Sequence, residues 1–286
     1  MTIHRIVVVG AGTMGHGIAQ VAAQAGYAVA LADAAPGAAA RGLERIRANL
    51  DGAVSRGKAT ADARAAALAR ITVGADAAAL AAGADLAIEA VPESLDLKRR
   101  VFAALEAAMP TPAVLATNTS SLPVAAIARD CRAPERVIGM HFFNPVHLMQ
   151  LLEVVVHDGT DAATRERTLE VARRLGKEPI VVRDSPGFAS SRLGVALGLE
   201  AMRMLEAGVA SAEDIDRAMT LGYNHPMGPL RLTDLVGLDV RLAIADYLHG
   251  ALASAAFEPP AILRRMVAEG RLGKKTGRGF YTWSDA

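Results

Sequence analysis

Short apolar, β-branched runs recur along the first two thirds of the chain, at Ile6–Val9, Ala28–Ala32, Leu86–Glu89, Val114–Thr117, Val137–Met140, Leu152–Val156 and Ile180–Val182. Runs of this length bounded by glycine, proline and polar residues predict strands. Between most of them lie alanine-rich stretches with apolar residues at helical spacing, such as Ile18–Ala25, Ala38–Arg56 and Lys98–Ala108. Alternation of strand and helix implies a mostly parallel sheet covered on both faces.

The pattern changes at Asp184-Ser185-Pro186-Gly187. Beyond it strand signals almost vanish. Arg192–Glu206 is amphipathic and ends near Gly208, and a further helix is predicted over Asp239–Leu252. Ser211 with Asp214 three residues on resembles a capping box, so a helix should start there. The expected organisation is an α/β, doubly wound domain over residues 1–183, followed by an all-helical domain over residues 184–286.

Composition narrows the classes. With 52% hydrophobic and 21% charged residues the chain has material for a sizeable core, and a net charge of +1 gives no general pull toward nucleic acid or a membrane surface. No apolar stretch approaches the ~20 residues a membrane span needs. The N-terminus runs directly into the first strand rather than through a signal peptide. Cys131 is the only cysteine, which rules out a disulfide framework, suits a reducing cytoplasm and leaves no motif for a cysteine nucleophile. His4, His16, His157, His225 and His249 show no metal-ligand spacing, so no metal is expected.

Gly10-Ala-Gly12-Thr13-Met14-Gly15 follows the first strand directly and opens a helix, and Asp33 ends the second strand. A bare G-x-G-x-x-G is weak evidence, but this one has its strand, helix and acidic residue in place. Gly10 permits the tight turn, Gly12 lets a pyrophosphate approach the backbone, and Gly15 lets helix and strand pack closely. The helix N-terminus offers amide donors to the phosphates. Asp33 should accept hydrogen bonds from a ribose and repel an additional phosphate there, and neither Ala34 nor Ala35 supplies a cation. A Rossmann-type domain that uses NAD rather than NADP is therefore expected.

A second group of polar residues lies at His141-Phe-Phe-Asn144-Pro145, with Glu153 twelve residues after the histidine, across a proline-containing turn. If the two strand ends adjoin, imidazole and carboxylate can meet. Alcohol oxidation needs a base for the hydroxyl proton as hydride leaves carbon. Histidine ordinarily titrates near neutrality, and a carboxylate on its other nitrogen fixes tautomer and orientation. A structural histidine hydrogen-bonded at a strand end fits the same spacing.

These segments, with Glu89-Ala-Val-Pro-Glu93, Asn118-Thr-Ser120-Ser-Leu, Pro186-Gly-Phe, Pro226-Met-Gly-Pro, Gly237-Leu-Asp and Gly273-Lys-Lys-Thr-Gly-Arg-Gly-Phe-Tyr281, resemble the 3-hydroxyacyl-CoA dehydrogenase family over nearly the whole chain. The resemblance implies oxidation of an (S)-3-hydroxyacyl-CoA in fatty acid metabolism, with His141 as base and Glu153 orienting it. It implies that Ser120 contacts the reacting oxygen and the nicotinamide or CoA. Glu93, Lys98, Asn144 and Lys275 would contact the cofactor, alongside Gly10, Gly12, Thr13, Met14, Gly15 and Asp33. Asn49, Arg56 and Lys58 would grip CoA. The helical domain would close over the acyl group and form a homodimer, for which Leu193, Leu197, Leu205, Leu232 and Leu235 are the candidate apolar positions.

One position departs from the family pattern. Ser191 stands in Pro186-Gly-Phe-Ala-Ser-Ser191-Arg192 where most relatives carry an asparagine that helps hold the reacting oxygen. Ser191 takes over that role through an ordered water, or else only caps or packs the helix entry. Two rival functions also fit: a dehydrogenase of a free 3-hydroxy acid or sugar acid, and a non-catalytic NAD-binding protein.

Overall fold

A computed structural model describes residues 2–284, which fall into two compact units divided between Ser185 and Pro186. The boundary lies two residues beyond the expected one because Asp184 belongs to the first unit. Its amide donates to Val156 O (2.8 Å), and its carboxylate accepts from Ala125 N (2.8 Å).

The first unit is an eight-stranded sheet in the order β3-β2-β1-β4-β5-β6-β7-β8. The strands are β1 (Arg5–Val9), β2 (Ala28–Ala32), β3 (Ile71–Gly74), β4 (Leu86–Glu89), β5 (Val114–Thr117), β6 (Val137–Phe142), β7 (Leu151–Val156) and β8 (Glu178–Arg183). All neighbours are parallel except β6 and β7. The helices are α1 (Gly15–Gln24), α2 (Ala38–Ser55), α3 (Ala61–Ala69), α4 (Ala77–Ala81), α5 (Leu95–Ala108), α6 (Val124–Ala128) and α7 (Ala162–Arg174). The doubly wound α/β class expected from the pattern is the one observed.

β4, β5 and β6 are buried along their whole length, in keeping with runs that are apolar but for Glu89, Thr117 and His141 at or near their carboxyl ends. Ile6, Ile18, Leu31, Ile46 and Ile88 sit fully inside the core, each stabilising the fold by about 1.5–3 kcal/mol. β3, α3 and α4 are additions to the expected elements. α3 begins where Thr60 Oγ1 accepts from Ala63 N (3.1 Å), and α4 where Asp76 Oδ1 accepts from Ala79 N (3.0 Å).

The second unit is helical: α8 (Ser190–Glu206), α9 (Ala212–Gly222), α10 (Pro229–Val236), α11 (Leu238–Leu252) and α12 (Ala261–Ala268). Ser211 caps α9 as expected, accepting from Asp214 N at 3.1 Å. Val195, Leu199, Met202, Leu230, Leu248 and Leu263 form its separate core. Buried Asp234 accepts from Phe280 N (2.8 Å), Tyr281 N (2.9 Å) and Trp283 Nε1 (2.9 Å), which fastens the glycine-rich C-terminal loop to α10. Among the described residues no helix is long and apolar enough to cross a membrane.

Candidate active site

The carboxyl ends of the strands carry the chemistry. β1 lies between β2 and β4, so the chain changes direction across the sheet at β1 and β4, the place where open α/β sheets hold ligands. A cleft of about 680 Å³ opens there, lined by Gly10, Gly12, Thr13, Met14, Asp33 and Pro92 among others. Gly10 has φ +100°, and a Cβ on it would come within 2.6 Å of Ala90 O. A Cβ on Gly15 would strike Gly10 O, whereas one on Gly12 would meet nothing within 4 Å. The loop is thus packed tightly beneath and open at Gly12, where a pyrophosphate needs room. The first turn of α1 has no side-chain cap and no acidic residue, so, although His16 N bonds back to Gly12 O (3.3 Å) and Ile18 N to Met14 O (2.9 Å), nothing at the helix start repels a phosphate.

Half-buried Asp33 accepts from Ala11 N (2.8 Å) through Oδ2 and from Ala35 N (2.9 Å) through Oδ1. Each oxygen retains a further lone pair for a ribose hydroxyl. These residues fit NAD: glycine loop, helix terminus and acidic strand end are all in place. The carboxylate also ties the glycine loop to the end of β2, a structural task that sequence alone did not indicate.

Next to this cleft, Lys98 is buried at 1% exposure with its ammonium 2.7 Å from Glu89 Oε1 and 3.2 Å from Glu93 Oε2. Glu89 also accepts from Val91 N (2.7 Å) and Thr117 Oγ1 (2.8 Å). Burial pushes the Glu89 carboxyl above its ordinary value despite Lys98 beside it. Burial also raises Glu93, but Lys98 and the hydroxyls of Thr119 and Ser121 outweigh it, and Glu93 ends below its ordinary value. Glu93 Oε1 accepts from Ser120 N (3.1 Å), Ser121 N (3.1 Å) and Ser121 Oγ (3.0 Å). Glu93 and Lys98 therefore hold the turn that presents half-buried Ser120.

His141 and Glu153 are cross-strand partners in the antiparallel β6–β7 pair. Nδ1 of His141 lies 2.7 Å from Glu153 Oε2, and both side chains are buried, Glu153 completely. The expectation was two adjoining strand ends. The arrangement is tighter, because β6 extends through Phe142 and antiparallel register puts the two side chains on the same face. With Nδ1–H donated to the carboxylate, the acceptor lone pair of the imidazole lies on Nε2. The Phe143 ring lies 4.5 Å from the imidazole, centroid to centroid. Asn118, not singled out as a site residue before, accepts from Phe142 N at 2.9 Å and pins β6 beside His141. Its place at the end of β5 was the available signal.

The other candidates are less concentrated. Asn49 donates to Gln20 Oε1 at 3.0 Å, linking α2 to α1. Arg56 and Lys58 are exposed just beyond α2, and Asn144 is exposed at the start of the turn after β6. His147, in that same turn, has its imidazole held below the ordinary value by burial and by the positive charges of His16, Lys177 and Arg56. In the second unit, Lys275 forms an ion pair with both oxygens of Asp239 at the start of α11 (2.5 and 2.6 Å). Ser191 is the second residue of α8 and half-buried; the N-cap position belongs to Ala189, so Ser191 is not the helix cap. Among the described residues no group of three or more histidine, cysteine and acidic residues is placed to hold a metal ion.

A glycine-loop cleft at the sheet crossover, with a buried histidine–carboxylate pair on the same sheet, defines a dinucleotide-dependent oxidoreductase. The family model for the NAD-binding domain of 3-hydroxyacyl-CoA dehydrogenase matches residues 5–185, and the model for its C-terminal domain matches residues 187–283. The chain belongs to the 3-hydroxyacyl-CoA dehydrogenase family. It is similar to a 3-hydroxybutyryl-CoA dehydrogenase of Mycobacterium tuberculosis, 46% identical over 98% of this chain and 99% of that protein. A mitochondrial hydroxyacyl-coenzyme A dehydrogenase of Sus scrofa is 39% identical over 98% of this chain and 91% of its own length. The crystal structure of (S)-3-hydroxybutyryl-CoA dehydrogenase from Ralstonia eutropha superimposes with a TM-score of 0.95 at 40% identity, covering 99% of this chain and all of that one.

Proposed function

We propose that the protein oxidises (S)-3-hydroxyacyl-CoA thioesters of short chain, 3-hydroxybutyryl-CoA foremost, to the 3-keto thioester. The observation that carries the mechanism is the 2.7 Å contact between His141 and Glu153 in a buried cross-strand pair. Bound NAD supplies the acceptor for the hydride leaving C3. His141 Nε2 accepts the 3-hydroxyl proton, and Glu153 holds the imidazole in the required tautomer and stabilises the imidazolium that forms. The Ser120 hydroxyl bonds the reacting oxygen, with Glu93 and Lys98 fixing its turn. Gly12, Thr13, Met14 and the start of α1 hold the pyrophosphate, Asp33 holds the ribose, and Asn144 makes a further cofactor contact. Asn49, Arg56 and Lys58 grip CoA.

The active form in this reading is a cytoplasmic homodimer working in fatty acid metabolism. Leu193 (72% exposed), Leu221 (75%) and Tyr223 (75%) on the helical unit support a partner surface, whereas Leu205 packs against the unit's own core. Burial, reinforced by nearby Glu106, pushes the Cys131 thiol up to about 11, so it stays a protonated thiol at neutral pH. Steady-state kinetics on four- to sixteen-carbon 3-hydroxyacyl-CoA substrates and on free 3-hydroxybutyrate test the function. The expected result is an absolute requirement for the thioester, a preference for four carbons, and NAD over NADP. Equal turnover of the free acid would assign the protein to the free hydroxy-acid dehydrogenases, and no turnover would leave only dinucleotide binding.

A further inference from the structure

Lys177 follows α7 and leads into β8, and its side chain is buried. Its ammonium donates to two main-chain carbonyls, Val146 O at 2.5 Å and Met149 O at 2.6 Å. Both belong to the segment 143–150 that joins β6, which carries His141, to β7, which carries Glu153. The charged and titratable groups nearby are His147 on that segment, with His16 and Arg56 beyond it, and Arg174 at the end of α7. Among the described residues no carboxylate pairs with Lys177, and burial holds its ammonium below the ordinary value. A buried cation without a counter-ion is expensive to keep, and packing alone would be served as well by a methionine. What the ammonium alone provides is a pair of strong donors converging on two carbonyls of one loop.

That loop governs the catalytic pair. A slip of one residue between β6 and β7 would turn Glu153 to the opposite face of the sheet from His141, and hairpin register is set by the connecting segment. The segment is held from the other side as well: Val146 packs against α1 so closely that a Cβ on Gly17 would lie 2.9 Å from Val146 Cβ. We propose that Lys177 is a positioning residue for the reaction, a cationic clasp on the β6–β7 connection that keeps His141 and Glu153 in phase. This rests on the reading of His141 and Glu153 as the reacting pair.

The groove beside the clasp, about 430 Å³ and lined by His147, Leu148, Gln150 and Lys177 among others, gives a small cation a route to the two carbonyls. In Lys177→Ala, kcat should fall roughly 10- to 100-fold, the scale of a displacement near 1 Å at the reacting groups. NADH affinity, read by fluorescence titration, should be unchanged. Methylammonium or ethylammonium should restore kcat with saturation, and tetramethylammonium, which has no N–H, should not. Lys177→Met, which fills the space without a donor, should show the same loss and no rescue. Lys177→Ala placed on His141→Ala should slow the residual rate no further, since the clasp acts through the histidine. Normal kcat in Lys177→Met, equal rescue by tetramethylammonium, a parallel loss of NADH affinity, or failure of both variants to fold would each overturn the assignment. Full activity of His141→Ala would instead overturn the reading on which it rests, so the two failures are distinguishable.

Discussion

The two ends of the sheet both bury carboxylates, and they use them differently. At the amino ends, Asp85 accepts from the main-chain amides of His4 (2.8 Å) and Arg5 (3.0 Å), and Glu106 from those of Arg132 (2.9 Å) and Ala133 (2.9 Å), with Arg136 at 3.4 Å. At the carboxyl ends, Glu89 and Glu93 share Lys98 and serine and threonine hydroxyls, and Glu153 faces His141. A carboxylate bonded to main-chain amides tethers a loop, as Asp33 also does at the carboxyl ends while keeping a lone pair on each oxygen for a ribose hydroxyl. Glu153, bonded to an imidazole, fixes the orientation of that ring instead. Partner identity, more than burial, separates the fastening end from the working end.

The comparison would break most visibly at His141. His141→Ala should lower kcat by roughly 10²–10⁴-fold with NADH binding nearly intact. Near-normal turnover would remove the histidine from the chemistry. Next in size is the cofactor preference. Asp33→Ala combined with Ala34→Arg should shift kcat/KM toward NADP by about 1.5–3 kcal/mol, roughly 10- to 100-fold, the range of a hydrogen bond to a charged group. Total activity should fall too, because Asp33 also holds the glycine loop through Ala11 N. An unmodified enzyme that already used NADPH better than NADH would contradict the role given to Asp33. The smallest effect belongs to Ser191, the second residue of α8, for which the rival role is packing at the helix entry. Ser191→Ala should cost about 1–2 kcal/mol in kcat/KM, and Ser191→Asn should keep or raise activity. An unchanged kcat/KM in Ser191→Ala would show that the position does no work in the reaction.

Much of the working end was legible in the sequence because its signals are local. Gly10, Gly12 and Gly15 sit between a strand and a helix, Asp33 ends the next strand, and a short turn separates the strands of His141 and Glu153. Signals depending on distant partners were not legible. The resemblance gives Lys98 a cofactor contact, yet its ammonium is buried between Glu89 and Glu93, both brought to it by the β4–α5 turn. Lys177 gave no signal at all, since its partners are carbonyls on another segment. β3 escaped because Ile71–Gly74 is a four-residue edge strand among alanine-rich helices with little contrast between polar and apolar positions. The caps at Thr60 and Asp76 were the signals that would have located α3 and α4.

The contrast between the two ends is tested most directly by making one substitution at each, Glu106→Gln and Glu153→Gln, and measuring kcat and denaturant unfolding for both. Burial raises the Glu106 carboxyl, but the amides of Arg132 and Ala133 and the Arg136 guanidinium outweigh it, so its folded-state value lies below the ordinary one. Its stabilisation is therefore present above the ordinary carboxylate range and is lost as pH falls through the lowered folded-state value. Glu106→Gln should cost about 1–3 kcal/mol of stability at neutral pH, by a margin that shrinks in acid, while kcat stays within about twofold. Glu153→Gln should instead lose on the order of 10²–10⁴-fold in kcat, as loss of the carboxylate behind a catalytic histidine does elsewhere. A Glu153→Gln enzyme with normal kcat, or a Glu106→Gln enzyme that loses rate rather than stability, would contradict the account.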